Sequence, residues 1–193
     1  MEELQKLRLA FEQIDVLSNE EWEELKNYWE LITTNRKINL TAPDQIERYT
    51  YFVLDGIQRI YYLSEEGKEA TIVFTYEGDF GGVLDSYLLQ IPSKYYYETL
   101  SKSTLLRCVK QDLDDLQNKY PNLKRIMDKA LYMGFSGTMT RLAELQILSS
   151  EEKFRILLQR SPHILNKIPH KYLANYIGID PTNFSKLLNN VKL

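Results

Sequence analysis

The order of hydrophobic and polar positions divides the chain into three stretches. In residues 1 to about 31, apolar side chains recur at helical spacing. From about Thr33 to Val109, the sequence is rich in Tyr, Phe, Val, Ile and Thr, and acidic-glycine pairs such as Asp55-Gly56 interrupt it. Beyond Lys110 the helical spacing returns. The pattern predicts an α+β chain with a helical lead-in, a series of short strands and a helical C-terminal part.

The central strands predict a closed or double-layered sheet. Their spacing of roughly ten residues favours an antiparallel barrel or sandwich, and a jelly roll is one arrangement that shields the sheet edges. We therefore predict a barrel domain with its helical lead-in over residues 1–120.

The third stretch begins with a short helix and continues with a long one. Pro121 ends the short helix and can occupy the first turn of the next. A helix over about 122 to 148 carries an apolar residue nearly every turn. Such a stripe packs either against the chain's own barrel or against a second copy of the chain, and we favour a dimer seam. We predict a dimerisation helix at residues 121–148, with seam residues Met127, Leu131, Phe135, Met139 and Leu142.

The last 45 residues, 149–193, predict a helix-turn-helix. Ser149 or Ser150 ahead of Glu152 resembles a capping box at the start of a helix. Near the end, "IPHKYLANYIGIDPTNFSKLLNNVKL" reads as two helices joined at Gly178, whose lack of a side chain allows a sharp turn. Asp180 then caps the second helix, and the next residue is a proline suited to its first position.

The second of these helices carries polar side chains suited to reading DNA. Asn can pair with adenine, Ser or Thr with several bases, and Lys with guanine or phosphate. An ordinary helical hairpin with a solvated face is the alternative. The predicted DNA-binding residues are Lys167, Lys171, Thr182, Asn183, Ser185, Lys186 and Asn189, with Lys192 as a further phosphate contact.

Charge is unevenly distributed along the chain. The net charge of -3 argues weakly against nucleic-acid binding. From Ser149 onward, however, seven lysines and arginines outnumber three acids, so this part carries +4 and the first 148 residues carry -7. This asymmetry either reflects random variation of the surface or indicates a C-terminal part that binds a polyanion, and we favour the second explanation.

The reactive residues are too few for several functional classes. Cys108 is the only cysteine, which excludes an intrachain disulfide and an all-cysteine iron-sulfur cluster. His163 and His170 are the only histidines, and no metal-ligand spacing accompanies them. We expect no metal, no cofactor and no catalytic residue, because Cys108 also lacks a nearby histidine. Without a signal peptide or a long apolar run, a cytoplasmic protein without membrane contact is expected.

Two segments resemble the Crp/Fnr family of transcription regulators. "YFVLDGIQRIYYLSEEGKEATIVFTYEGDFGG" is similar to the core of that family's sensor barrel, and "PHKYLANYIGIDPTNFSKLLNN" is similar to its helix-turn-helix. With the long helix between them, the resemblance covers the chain after about residue 20. It implies a double-stranded β-helix (jelly-roll) sensor barrel, a homodimer formed along the long helix, and sequence-specific binding to a palindromic double-stranded DNA operator.

The effector pocket implied by this resemblance departs from the cyclic-nucleotide pattern. After Gly81 and Gly82 comes Val83, where those members have a glutamate for the ribose. Lys94 and Tyr95 replace their arginine and serine at the cyclic phosphate, and lysine lacks the two-pronged geometry of arginine. The chain is therefore predicted not to respond to cAMP. The nearby Tyr87, Tyr95, Tyr96 and Tyr97 either line a pocket for another small-molecule effector or fill the barrel, and we favour filling.

The DNA-binding end also departs from the family. The chain ends at Leu193, so a full β-hairpin wing is not expected. Pro181 and Thr182 replace the arginine and glutamate with which relatives read guanine and cytosine, so the operator should differ from theirs. The alternative function is a small-molecule-binding sensor with a vestigial DNA-binding region.

Overall fold

The computed structural model describes residues 2–190 and divides into two compact units. The first, here the sheet unit, comprises the chain up to Ile60 and Phe74–Met133. The second, here the reader unit, comprises Tyr61–Val73 and the chain from Gly134 onward. The long helix and one β-hairpin therefore each pass from one unit into the other.

The sheet unit starts with two helices, α1 (Glu2–Ile14) and α2 (Asn19–Leu25), and a single 3₁₀ turn at Lys26–Tyr28. The helical lead-in is thus shorter than the predicted 31 residues. Strand pairing explains the difference, because Glu30 already lies opposite Arg107 in an antiparallel ladder.

Eight strands follow within residues 2–190 and confirm the strand-rich centre, which begins at Glu30 rather than Thr33. They form two four-stranded sheets with the orders β1-β8-β3-β6 and β2-β7-β4-β5. In the first sheet β8 pairs antiparallel with both β1 and β3, and β3 also pairs antiparallel with β6. The strands are β1 (Glu30–Thr34), β2 (Asn39–Thr41), β3 (Tyr49–Asp55), β4 (Gln58–Leu63), β5 (Glu69–Thr75), β6 (Phe80–Gly81), β7 (Tyr95–Thr99) and β8 (Ser103–Val109).

Strand β3 is buried on both faces. Phe52 and Leu54 belong to a core with α1, α2, α4 and the start of the long helix, whereas Tyr51 and Val53 belong to a core formed by strands of both sheets. Successive side chains of a strand point to opposite faces, so this continuous apolar run is what a central strand requires.

A short helix, α3 (Leu84–Leu89), lies within the stretch that the pattern assigned to strands. The assignment of Tyr87 to a strand was therefore wrong, although Tyr95 and Tyr97 do lie in β7. Six residues are too few for helical periodicity to be distinguished from a short apolar strand.

The remaining helices follow the predicted order. The long helix α5 begins at Pro121, and Ser149 caps α6 through a capping box with Glu152, as predicted. The four-residue helix α7 was not predicted. The bounds are α4 (Lys110–Lys119), α5 (Pro121–Ile147), α6 (Ser150–Arg160), α7 (Ile164–Lys167), α8 (His170–Tyr176) and α9 (Pro181–Asn190).

Two other kinds of feature are absent from residues 2–190. No helix in this range is long and apolar enough to cross a membrane. No three metal-ligating side chains cluster within the same range.

Candidate nucleic-acid interface and effector pocket

The turn between α8 and α9 closes as the sequence predicted. Gly178 adopts a φ of 67°, a left-handed conformation that glycine tolerates best. The Gly178 amide donates to the Asn175 carbonyl at 3.1 Å, and the Ile179 amide donates to the Ala174 carbonyl at 3.0 Å. These two bonds form a Schellman motif, which satisfies the last carbonyls of α8 and redirects the chain.

Asp180 caps α9. Its Oδ1 accepts hydrogen bonds from the amides of Thr182 at 2.7 Å and Asn183 at 3.4 Å. The Thr182 amide, the strongest of these influences, lowers the pKa of Asp180, so its carboxylate stays ionised at the positive end of the helix. Pro181 is the first residue of α9, where its missing amide hydrogen costs nothing.

A small apolar core holds α9 against its neighbouring helices. Phe184 is fully buried, and its ring packs edge-on against Phe154 of α6 with the centroids 5.2 Å apart. Leu173 of α8 and Ile177, which directly follows that helix, are also buried. Because the inner face of α9 is committed to this core, its polar face is directed to solvent.

The predicted base-reading side chains share one face of α9. Thr182, Ser185, Lys186 and Asn189 are exposed and recur at intervals of three, one and three residues, which is one side of a helix. Asn183 is half-buried, off this line. Lys167 and Lys171 are exposed on the preceding helices, whereas Lys192 lies outside the described residues.

The predicted seam residues differ in exposure along α5. Met127 packs against the core of the sheet unit, and Leu131 is half-buried. Phe135, Met139 and Leu142 are 64%, 51% and 49% exposed. An apolar row this exposed is unusual for a stable monomer.

The glycines of the predicted effector pocket lie against the barrel interior. A side chain at Gly81 would collide with the Tyr97 hydroxyl, and one at Gly82, whose φ is 130°, would lie 3.1 Å from the Tyr49 carbonyl oxygen. Val83 is almost fully buried. Lys94 is exposed and Tyr95 half-buried. The segment from Gly81 to Val83 is therefore packed by the protein itself.

Tyrosine side chains fill much of the space beside these glycines. Tyr97 is fully buried, its hydroxyl lies 3.0 Å from Thr75 Oγ1, and its ring centroid is 5.5 Å from that of Tyr51. Of the predicted tyrosines, Tyr97 and Tyr87 are buried and Tyr95 and Tyr96 are half-buried. This packing favours the filling role.

Glu47 is a buried carboxylate that the sequence reasoning missed. It accepts hydrogen bonds from Thr41 Oγ1 at 2.5 Å, the Tyr49 amide at 3.1 Å and the Val83 amide at 3.3 Å. Within residues 2–190 it forms no ion pair, and burial raises its pKa. No motif marks it, because an acid ahead of a strand usually lies at the surface.

Arg141 and Asn175 were also missed in the reader unit. Arg141 donates to the Tyr176 carbonyl, and Asn175 donates to the Glu69 carbonyl. These partners lie 35 and 106 residues away in the sequence, so the local spacing of residues does not predict either contact.

The comparisons with known proteins find similarity to transcription regulators. No protein-family model matches the chain. A fumarate and nitrate reduction regulatory protein from Yersinia pestis is 25% identical over 149 residues, which are 72% of this chain and 59% of that protein. The chain thus spans less than two thirds of that relative's length.

Solved structures share the fold at lower identity. FixK2 from Bradyrhizobium japonicum matches with a TM-score of 0.75 at 14% identity over 83% of both chains. A transcriptional regulator of the Crp/Fnr family from Eubacterium rectale matches with a TM-score of 0.70 at 16% identity, over 90% of this chain and 82% of its own. The predicted resemblance to the Crp/Fnr family is confirmed: the chain is similar in sequence to one such regulator and has the α+β fold of others.

Proposed function

We propose that this protein is a sequence-specific, DNA-binding transcription regulator of the Crp/Fnr type that acts as a cytoplasmic homodimer. The observation that carries the proposal is the solvent-facing row Thr182, Ser185, Lys186 and Asn189 on the second helix of a helix-turn-helix. A helix of this size fits the major groove of DNA, where such side chains meet base edges.

The distribution of charge supports a DNA partner. Lys167 and Lys171 are exposed on the helices that precede α9. Contacts from these lysines to DNA phosphates would position the helix-turn-helix on the duplex without contributing to sequence specificity. The functional division that we propose is a sensor barrel at residues 1–120, a dimerisation helix at 121–148 and a DNA-binding domain at 149–193.

The exposed row on α5 supports a homodimer. Phe135, Met139 and Leu142 leave large apolar areas in water, and a second copy of the same helix would bury them symmetrically. Two readers related by a two-fold axis would then bind a palindromic operator with half-sites about one helical turn apart.

The buried carboxylate of Glu47 supports a barrel that does not respond to cAMP. Its oxygens already accept the amide hydrogen of Val83, so this amide is not free to bind a phosphate brought to the same backbone. Val83 itself offers no acceptor for a ribose hydroxyl. Any small-molecule effector would therefore differ from cAMP in chemistry.

Selection of binding sites from a random pool of duplex DNA tests the proposed function. We expect enrichment of a palindromic sequence whose affinity falls steeply as salt rises, because phosphate contacts release counterions. Recovery of unselected sequences after repeated rounds would contradict the proposal.

A groove favours the alternative of a small-molecule-binding sensor. It encloses about 470 Å³ and is lined by residues 40–41 and 44–49, including Glu47. Thermal-shift screening against nucleotides and metabolites tests this function, and a uniformly flat response would count against it. An enzyme is not expected, since the relatives are regulators and burial raises the pKa of the Cys108 thiol to about 12, which leaves little thiolate.

A further inference from the structure

The reader unit contains a β-hairpin as well as the helix-turn-helix. Residues Tyr61–Val73 span the end of β4, a turn at Gly67 and most of β5. Strand β5 is the last in its sheet order, so no strand within residues 2–190 pairs with its outer row of backbone groups. Two side chains from the helical part of the unit occupy this row.

Asn175 of α8 pairs with the edge of β5 as another strand would. Its side-chain oxygen accepts from the Thr71 amide at 2.6 Å, and its side-chain nitrogen donates to the Glu69 carbonyl at 2.6 Å. The two partners fix the orientation of the amide, because one is a donor and the other an acceptor. Both polar groups of the side chain are thereby used.

Arg141 of α5 joins the same strand to the end of α8. Its guanidinium donates to the carbonyls of Thr71 at 3.2 Å, Ile72, and Tyr176 at 2.5 Å. Its Cζ also lies 3.7 Å from the centroid of the Tyr176 ring. One side chain therefore connects the long helix, the hairpin and the helix-turn-helix.

This arrangement is costly for an arginine. Arg141 forms no ion pair within residues 2–190, and its neighbour Glu144 pairs instead with Arg160. Burial is the largest influence on Arg141 and lowers its pKa from the ordinary value, although Tyr176 and Glu144 act in the opposite direction. The planar guanidinium of arginine can nevertheless donate hydrogen bonds to several carbonyls at once, and the ammonium group of lysine cannot reproduce this geometry.

We propose that Arg141 and Asn175 are positioning residues that fix the orientation of the helix-turn-helix on the long helix and the hairpin, and so set the half-site spacing that the dimer accepts. The inference rests on the proposed function. The two residues leave the row Thr182, Ser185, Lys186 and Asn189 exposed, so they act on orientation and not by covering the DNA-reading face.

Half-site spacing is the property most sensitive to this orientation. One inserted base pair moves a half-site by about 3.4 Å along the duplex and turns it by about a tenth of a helical turn. A rigidly held pair of readers cannot follow both changes. Two loosely held helix-turn-helix units can adapt to an altered spacer, but they lose orientational entropy when they bind the correct operator.

The experiment compares operators that differ only in spacer length. With an operator selected by the wild-type chain, Kd is measured at fixed salt for the palindrome, for the palindrome with one base pair added or removed, and for a single half-site. The variants are Asn175→Ala and Arg141→Lys. We expect each to reduce the discrimination against altered spacers by about tenfold, as the loss of one or two hydrogen bonds allows, with little change on the half-site.

Matched controls and a second readout separate orientation from stability. Asn27→Ala removes an exposed asparagine whose side chain donates to the Glu23 carbonyl, and Arg125→Lys changes an exposed arginine on α5. Both should keep the wild-type discrimination.

Amide exchange of residues 69–73 should accelerate in the two test variants. Asn175→Asp keeps the acceptor for Thr71 but places a second acceptor against the Glu69 carbonyl, so it gives the same test with little change in volume.

The outcomes are distinct. Faster exchange together with weakened spacer discrimination supports the proposal. Unchanged discrimination in folded variants, or unchanged exchange at residues 69–73, overturns it. If the wild-type chain selects no operator, the proposed function fails and the positioning role fails with it, and the wild-type result alone reveals this.

Discussion

The two halves of helix α5 carry similar apolar residues in very different surroundings. Leu123 and Ile126, in the first two turns, are fully buried in the core of the sheet unit. Phe135, Met139 and Leu142, further along, are about half exposed or more. The apolar spacing is continuous through both halves, so the pattern alone gives no indication of where the intrachain core ends.

An apolar stripe on a helix therefore indicates burial but does not identify the partner. The first half is stabilised by the chain itself. The second half makes sense as part of an interface with a second chain, because water-exposed Phe, Met and Leu side chains contribute nothing to a monomer.

Replacing one leucine in each half tests the comparison directly. Leu123→Ala should lower the free energy of unfolding by about 2–5 kcal/mol at any protein concentration, because it leaves a cavity in a closed core. Leu142→Ala should destabilise only at concentrations where the chain is dimeric. Urea unfolding at two widely separated concentrations distinguishes them, and equal, concentration-independent losses would contradict the comparison.

A charge in the exposed half should separate the two chains. Phe135→Asp places an unpaired carboxylate in the proposed seam, and we expect sedimentation to report monomer where the wild type is dimer. Thr140→Asp, on another side of the same helix, should stay dimeric. A dimer that survives Phe135→Asp would remove this half of α5 from the interface.

Removing one lysine from the DNA-reading row should have a moderate effect. Lys186→Ala is expected to weaken operator binding by about 1–3 kcal/mol if Lys186 contacts a base, with little change on unrelated DNA. Lys124→Ala, which removes an exposed charge from the buried end of α5, should have no comparable effect. An equal loss on every sequence would assign Lys186 to phosphate.

The smallest effect concerns pH and the sheet unit. Burial raises the folded-state pKa of Glu47 above its ordinary value of 4.5. At pH values between the unfolded-state and folded-state pKa, the folded chain therefore binds more protons than the unfolded chain. The stability due to Glu47 is therefore greatest in acid and is lost as pH rises through the folded-state pKa. Relative to Glu47→Gln, the wild type should become less stable as pH rises from about 4 to 8. Parallel curves from urea unfolding would contradict the assignment.

Much of the fold could be predicted where the signal is local. The start of α5 at Pro121, the cap at Asp180 and the turn at Gly178 each depend on residues within one or two turns of one another. The polar row on α9 follows from the same helical periodicity. For this reason, the helix-turn-helix is the part of the fold that could be predicted most accurately.

The rest depends on contacts between distant parts of the chain. Strand order, the burial of Glu47 and the attachment of Asn175 to β5 arise only when segments far apart in sequence meet. Helix α3 was missed for a different reason, since six residues contain less than two full turns of helix. A single sequence contains no signal for either kind of feature.

The central claim is that this chain distinguishes one DNA sequence from others. Its most direct test is the ratio of Kd values for the selected operator and for a scrambled duplex of the same length, measured with the full chain at two salt concentrations. We expect the operator to bind at least about 10³-fold more tightly than the scrambled duplex, and the affinity for both duplexes to fall with salt. Equal affinity for the two duplexes would contradict it.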